Sequence, residues 1–200
     1  MQKEDVMREK VLGCADKLFQ KFGLYKTTME DIAREAGKGK STLYHYFKSK
    51  EDIFDAILTR EKDAFFEIVQ NSIAKETSAR KKFEVFYTKR FEAIRKVINL
   101  YNVLLEETRS GQFENGQMHV WRKKYDEKEI NIIKSILQYG IVTGEFRVLK
   151  ESELEGLAFI FSSAQRGVEM DLVMYDKLDE MEGCLQLLVD LAVNGLKKEN

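Results

Sequence analysis

Lys40–Phe54, "KSTLYHYFKSKEDIF", sets basic residues, hydroxyls and aromatic rings side by side directly after Met29–Gly39, "MEDIAREAGKG". A helix destined for a core has no use for that mixture, whereas a surface that meets phosphates does. On a helix starting at Lys40, residues Lys40, Ser41, Tyr44 and His45 share the outward face, while Leu43 and Phe47 stand at i and i+4 on the inward one. Lys and Ser near a helix start can reach base edges or phosphates, and a histidine can donate to an acceptor in a groove. Tyr44 and Tyr46 can each donate a phenolic hydrogen to phosphate while the ring packs on the protein.

The flanks agree with this reading. Thr28 offers an N-cap with Asp31 three residues on, a capping-box variant that opens a short helix ended by Gly37. Two short helices joined by a tight glycine-containing turn form a helix-turn-helix, whose second helix enters the major groove. Upstream, Lys3–Phe22 is predicted to be one helix with Val11, Leu12, Ala15, Leu18, Phe19 and Phe22 on its inner face, stopped by Gly23. Downstream, Ser49 caps a helix running to about Lys75, with Ile53, Phe54, Ile57, Leu58, Phe65 and Ile68 facing inward.

Periodicity then predicts helices over Ala79–Arg109, Met118–Val142, Ser152–Tyr175 and Asp179–Leu196, with Ser110–Gln117, "SGQFENGQ", as a loop. The expected fold is all-α, an N-terminal three-helix helix-turn-helix head (residues 1–50) on a larger helical body (51–200). The absence of proline across 200 residues fits that class. Charge is split along the same line. Residues 1–50 carry 11 Lys/Arg against 7 Asp/Glu, so a net charge of −1 for the whole chain hides a basic head and an acidic body. Only the head is suited to approach a polyanion.

Cys14 and Cys184 form no ligand pattern and are expected to be reduced, buried thiols. The charged N-terminus lacks a signal-peptide core, and no stretch approaches the roughly 18 apolar residues of a membrane span, so a cytoplasmic location is expected. "GKS" at Gly39–Ser41 is shared with phosphate-binding P-loops, but that motif needs a glycine where Arg34 stands, and a preceding strand.

"TTMEDIAREAG", a short turn and "KSTLYHYFKSKEDIF", placed after one amphipathic helix, resemble the signature of the tetracycline-repressor (TetR) family of bacterial regulators. The likeness covers about Phe22–Phe54, and Lys38 and Gly39 stand where the family more often has an aliphatic and a small polar residue. The resemblance implies base-side contacts from Lys40, Ser41, Thr42 and His45, and phosphate-side contacts from Thr27, Tyr44, Tyr46, Lys48 and Lys50. It also implies a homodimer on a double-stranded operator, a small-molecule effector and no cofactor.

In the body, the last two helices combine apolar stripes with small residues, which lets helices approach closely. Leu157, Phe161, Ala164, Leu185 and Leu188 are the expected dimer contacts. Tyr87, Phe91, Met118, Trp121, Tyr125 and Phe159 mix aromatic bulk with hydroxyls, as pockets for apolar or aromatic ligands do, with His119, Gln165 and Arg166 as polar anchors. His119 has no second ligand nearby, so no metal is expected. The leading function is an effector-released repressor. The alternative is a constitutive DNA-binding or architectural protein without a small ligand. Catalysis is not expected, since no nucleophile–base pair or cofactor loop is visible.

Overall fold

A computed structural model describes the backbone of residues 3–109, 115–178 and 183–198, and within those ranges the side chains of all but residues 3, 96–124 and 185. Eight helices are described: α1 (Lys3–Phe22), α2 (Met29–Glu35), α3 (Lys40–Tyr46), α4 (Lys50–Ala74), α5 (Ala79–Arg109), α6 (Asn115–Val142), α7 (Glu151–Met174) and α8 (Cys184–Leu196). They fall into two compact units, Met1–Ala64 with Asn99–Phe113, and Phe65–Ile98 with Glu114–Asn200.

In the first unit, α1 buries Val11, Leu12, Ala15 and Phe19, and α4 supplies Ile53, Phe54 and Ile57, with the Phe19 and Phe54 rings edge-to-face at 5.5 Å. Phe22 departs from its expected inward position and is 48% exposed, because it occupies the last residue before Gly23 turns the chain at φ +82°. Thr28 caps α2 as anticipated: its hydroxyl accepts from the Asp31 amide at 3.2 Å, and the Asp31 carboxylate accepts from the Thr28 amide at 3.1 Å. The helix ends in a Schellman turn. Gly37, at φ +64°, donates to Arg34 O, and Lys38 donates to Ala33 O at 2.9 Å. Ser49 caps α4, its hydroxyl accepting from the Asp52 amide at 3.1 Å.

The second unit holds the larger core, in which Phe83, Phe86, Ile133, Ile136, Leu137 and Ala158 are fully buried. Gly140 is required there by close approach, since a Cβ would overlap the Phe146 ring. An antiparallel bridge pairs Phe146 with Lys197, and the Arg147 amide donates to Leu196 O at 2.9 Å, fastening the segment after α6 to the end of α8.

Several boundaries differ from the periodicity. Asn115–Gln117, expected in a loop, belong to α6, while 110–114 lie outside the described residues. The final helix starts at Cys184, and 179–182 also lie outside them. Ile68 is 49% exposed, because Phe65, Phe66, Val69 and Ile73 already make up the buried stripe of its helix. Both cysteines are free, but Cys184 is exposed, contrary to the expectation of burial. No described helix is long and apolar enough to cross a membrane.

Candidate functional site

The outward face of α3 is built from its inward one. Leu43 is fully buried and Phe47 is 5% exposed with the Arg8 guanidinium 5.1 Å from its ring centroid, so the helix has a single rotational setting. That setting exposes Lys40, Ser41, Thr42, Tyr44, His45 and Lys48, and leaves Tyr46 half-buried against the His45 ring. All four base-side candidates therefore lie on one exposed surface. Gly39 caps α3 through its backbone only, and a Cβ there would meet nothing closer than Ser41 Oγ at 3.9 Å, so the turn is not strained by the residue present.

Lys40 is paired with Glu30 of α2 and lies 5.8 Å from the Tyr44 ring centroid. The hydrogen bond from Lys40 holds the Glu30 carboxyl below its ordinary value, and the same bond holds the Lys40 ammonium above its own. Both side chains face water, so the pair is weak and Lys40 can exchange Glu30 for a phosphate or a base edge.

Two of the phosphate-side candidates have other work. Thr27 is 2% exposed and its hydroxyl donates to Gly23 O at 2.7 Å, which makes it a brace for the α1–α2 turn with no hydroxyl hydrogen left over. Lys50 donates to Leu24 O at 2.8 Å and Tyr25 O at 3.0 Å, and lies 5.7 Å from the Tyr25 ring centroid. Its charge neutralises the carbonyl end of that turn. The Thr27 tie is local, to the carbonyl four residues back, whereas the Lys50 tie was not visible in the sequence, since it joins side chain to backbone across the fold.

In the second unit a cavity of about 100 Å³ lies between α5, α7 and α8, lined by Tyr87, Phe91, Phe161, Ala164, Gln165, Glu169 and Leu188 among others. The structure brings Tyr87 and Phe91 together there, as expected. Tyr125 is buried, with its ring stacked on that of Phe66 at 5.9 Å. Phe159 is 57% exposed, because Leu154, Ala158 and Ser162 take the buried stripe of α7 and turn it outward. The side chains of Met118, His119 and Trp121 lie outside the described residues.

Of the expected dimer contacts, Leu157 and Phe161 pack partly on the core, Ala164 and Leu188 are exposed while lining the cavity, and the Leu185 side chain is outside the described residues. Phe159, Ile160, Val168, Leu187 and Leu191 add to the exposed apolar surface of α7 and α8.

Beside the cavity lies a buried ionic group that sequence reasoning missed. Arg90 is 4% exposed and pairs with Glu129 of α6 and Glu169 of α7, its Nη2 reaching Glu169 Oε2 at 2.7 Å. Ser162 donates to Glu129 at 3.2 Å and Gln165 to Glu169 at 3.0 Å. The available signal was positional: Arg90 sits three to four residues from Phe86, Tyr87 and Ile94, and Glu129 from Tyr125, Ile132 and Ile133, so both charges stand within apolar stripes. Burial pushes the Tyr87 phenol up to about 12, keeping it neutral.

Comparison with known proteins fits this geometry. The family described as "Bacterial regulatory proteins, tetR family" matches residues 11–57, which run from within α1 through α2 and α3 into the start of α4. The chain is 26% identical over 187 residues to the fatty acid metabolism regulator protein of Bacillus subtilis (strain 168), covering 93% of each. Over 140 residues it is 29% identical to the HTH-type transcriptional repressor KstR2 of Mycolicibacterium smegmatis (strain ATCC 700084 / mc(2)155), covering 70% of this chain and 67% of that one. The crystal structure of the transcriptional regulator FadR from Bacillus subtilis, in complex with stearoyl-CoA, shares the fold, with a TM-score of 0.73 at 23% identity over 90% of this chain and 96% of that one. Residues 11–57, which carry the capped α2, the Schellman turn and the exposed α3 face, are thus similar to the tetR family of bacterial regulatory proteins.

Proposed function

We propose that the protein is a homodimeric transcriptional repressor that binds a pseudo-palindromic operator through α3 and is released from it by a small, largely apolar effector held in the second unit. The observation that carries this reading is the surface of α3, polar and exposed from Lys40 to Lys48 and locked in orientation by buried Leu43 and Phe47. Residues 1–50 then act as the DNA-binding domain and 51–200 as the ligand-binding and dimerisation domain. Lys40, Ser41, Thr42 and His45 read base edges, and Tyr44, Tyr46 and Lys48 hold phosphates. Lys50 and Thr27 serve binding by holding the turn that precedes α2.

The apolar surface of α7 and α8 supports an isologous interface between two copies, which would set the two α3 helices at the spacing of successive major grooves. The cavity supports the effector, and so do the names of the relatives: one a repressor, one a regulator of fatty acid metabolism whose Bacillus subtilis fold neighbour holds stearoyl-CoA. In this reading the protein works in the cytoplasm and is not an enzyme.

Fluorescence anisotropy on a labelled upstream fragment, repeated over a series of salt concentrations, tests the DNA half. Affinity is expected to fall steeply, with a slope of about −0.9 per phosphate neutralised. His45→Ala is expected to change the preferred sequence at a cost of about 1–3 kcal/mol. A flat salt response, or an unchanged consensus for His45→Ala in selection from a random pool, would refute the assignment.

A further inference from the structure

We propose that Glu30 is a specificity-determining residue: by holding Lys40 it withholds that ammonium from phosphates, so that Lys40 answers to a base, a guanine facing the start of α3, and not to the DNA backbone at large. The inference rests on the DNA-binding reading above and deepens it with a residue that acts on the α3 surface from another helix.

Glu30 stands in the first turn of α2, and Lys40 opens α3 ten residues on. Their side chains pair across the turn at 55% and 54% exposure, within reach of DNA and of each other. The Lys40 ammonium also lies 5.8 Å from the centroid of the Tyr44 ring, one turn further along α3, so it is held between a carboxylate and an aromatic face. Asp31 does not compete for it. That carboxylate accepts from the Thr28 amide and hydroxyl and pairs with Arg34. The hydrogen bond that lowers the Glu30 carboxyl and raises the Lys40 ammonium keeps both partners charged at physiological pH.

A lysine is a point charge on a flexible stem, and one without a protein partner follows whichever phosphate is nearest. For Lys40 that move exchanges one anionic oxygen for another, and it leaves the Glu30 carboxylate uncompensated on the helix that crosses the DNA backbone. The exchange gains little, so Lys40 adds little to the binding of DNA in general. A guanine changes the balance. Its O6 and N7 stand side by side in the major groove, and an ammonium with three hydrogens can meet both, so the exchange returns two acceptors for one. Adenine and cytosine present an amino donor at that edge, and thymine a single oxygen beside a methyl group. Glu30 therefore sets a threshold that guanine passes and phosphate alone does not.

The test uses the full-length protein, a duplex selected by the wild type from a random pool, and a scrambled duplex of the same length and composition. Wild type, Glu30→Ala, Lys40→Ala and the double variant are titrated on both by anisotropy over a series of salt concentrations. Glu30→Ala is expected to bind the scrambled duplex more tightly, with a salt slope steeper by about 0.9 for each copy of the chain bound, because the released Lys40 neutralises one more phosphate. The ratio of affinities for selected over scrambled duplex should fall about threefold per copy, the factor that a surface ion pair of about 0.7 kcal/mol supplies. In the Lys40→Ala background the same substitution should move neither slope nor ratio. Circular dichroism checks the fold, and Glu30→Gln, closer in shape, serves if the alanine variant does not fold. An unchanged slope and ratio for Glu30→Ala, an equal effect without Lys40, or a base other than guanine at the position that Lys40→Ala relaxes would overturn the proposal. The two readings fail separately: a wild type that binds neither duplex takes both away, whereas salt-dependent binding that Glu30→Ala leaves untouched removes this inference alone.

Discussion

In the first unit the charges of the α3 surface stay in water: Lys40 meets Glu30 with both side chains more than half exposed, and Lys48 is exposed. In the second unit Arg90, Glu129 and Glu169 are pulled out of water together, each at 6% exposure or less. The difference fits the roles proposed for these charges. A side chain that must exchange a protein partner for a nucleic acid cannot be held tightly, so its resting ion pair has to be weak. A buried charge has no water to return to, so it holds its partners at the cost of desolvation and makes their arrangement specific. The exposed surface can therefore be altered at little cost to folding, while the buried group cannot lose a member.

The largest test of that contrast is Arg90→Met. It strands two buried carboxylates, and the expected loss is about 3–5 kcal/mol, read as a drop in the denaturation midpoint with the second unit unfolding first by hydrogen exchange. Adding Glu129→Gln and Glu169→Leu, which remove the stranded charges, should restore most of it. Wild-type stability for Arg90→Met alone would mean that the group is hydrated and the contrast false.

Lys50 and Lys48 divide the first unit more finely. Lys50→Met removes the donors to Leu24 O and Tyr25 O and should cost about 1.5 kcal/mol, the low end for hydrogen bonds from charged groups because Lys50 is partly exposed. Lys48→Met should leave stability untouched while lowering the salt slope of operator binding by about 1. If Lys50→Met changed only the DNA affinity, Lys50 would be a phosphate ligand and not a brace.

The smallest effect concerns Asp55, whose carboxyl is pushed up by partial burial, then by the Asp52 and Glu51 carboxylates one turn earlier. A raised folded-state value means that the protonated form favours folding, so stability declines as pH rises from the ordinary 3.8 through the folded-state value. Asp55→Asn should therefore stabilise the protein at pH 7, by about 0.2–0.5 kcal/mol for each like-charged neighbour relieved, and the gain should vanish in thermal melts below pH ~3.8. A gain independent of pH would point to helix propensity instead.

The legible parts of this protein are those governed by neighbours in the chain. Thr28 with Asp31, Ser49 with Asp52, Gly37 at the end of α2, and the pairing of Leu43 with Phe47 all depend on spacings of three or four residues, and the structure carries each of them. The exposure of Lys40, Ser41, Thr42 and His45 follows from the same local rule. Tertiary structure decided the rest, because periodicity assigns a residue to a face without saying what that face meets. Tyr125 and Tyr87 have the same composition signal and both stack in the core, yet Tyr87 also borders the cavity between α5, α7 and α8. Only the fold brings two carbonyls, from residues 24 and 25, within reach of Lys50. Arg90, Glu129 and Glu169 lie 39 and 40 residues apart in turn, and only the packing of α5, α6 and α7 turns three separate charges into one buried group, where desolvation makes each dependent on the others.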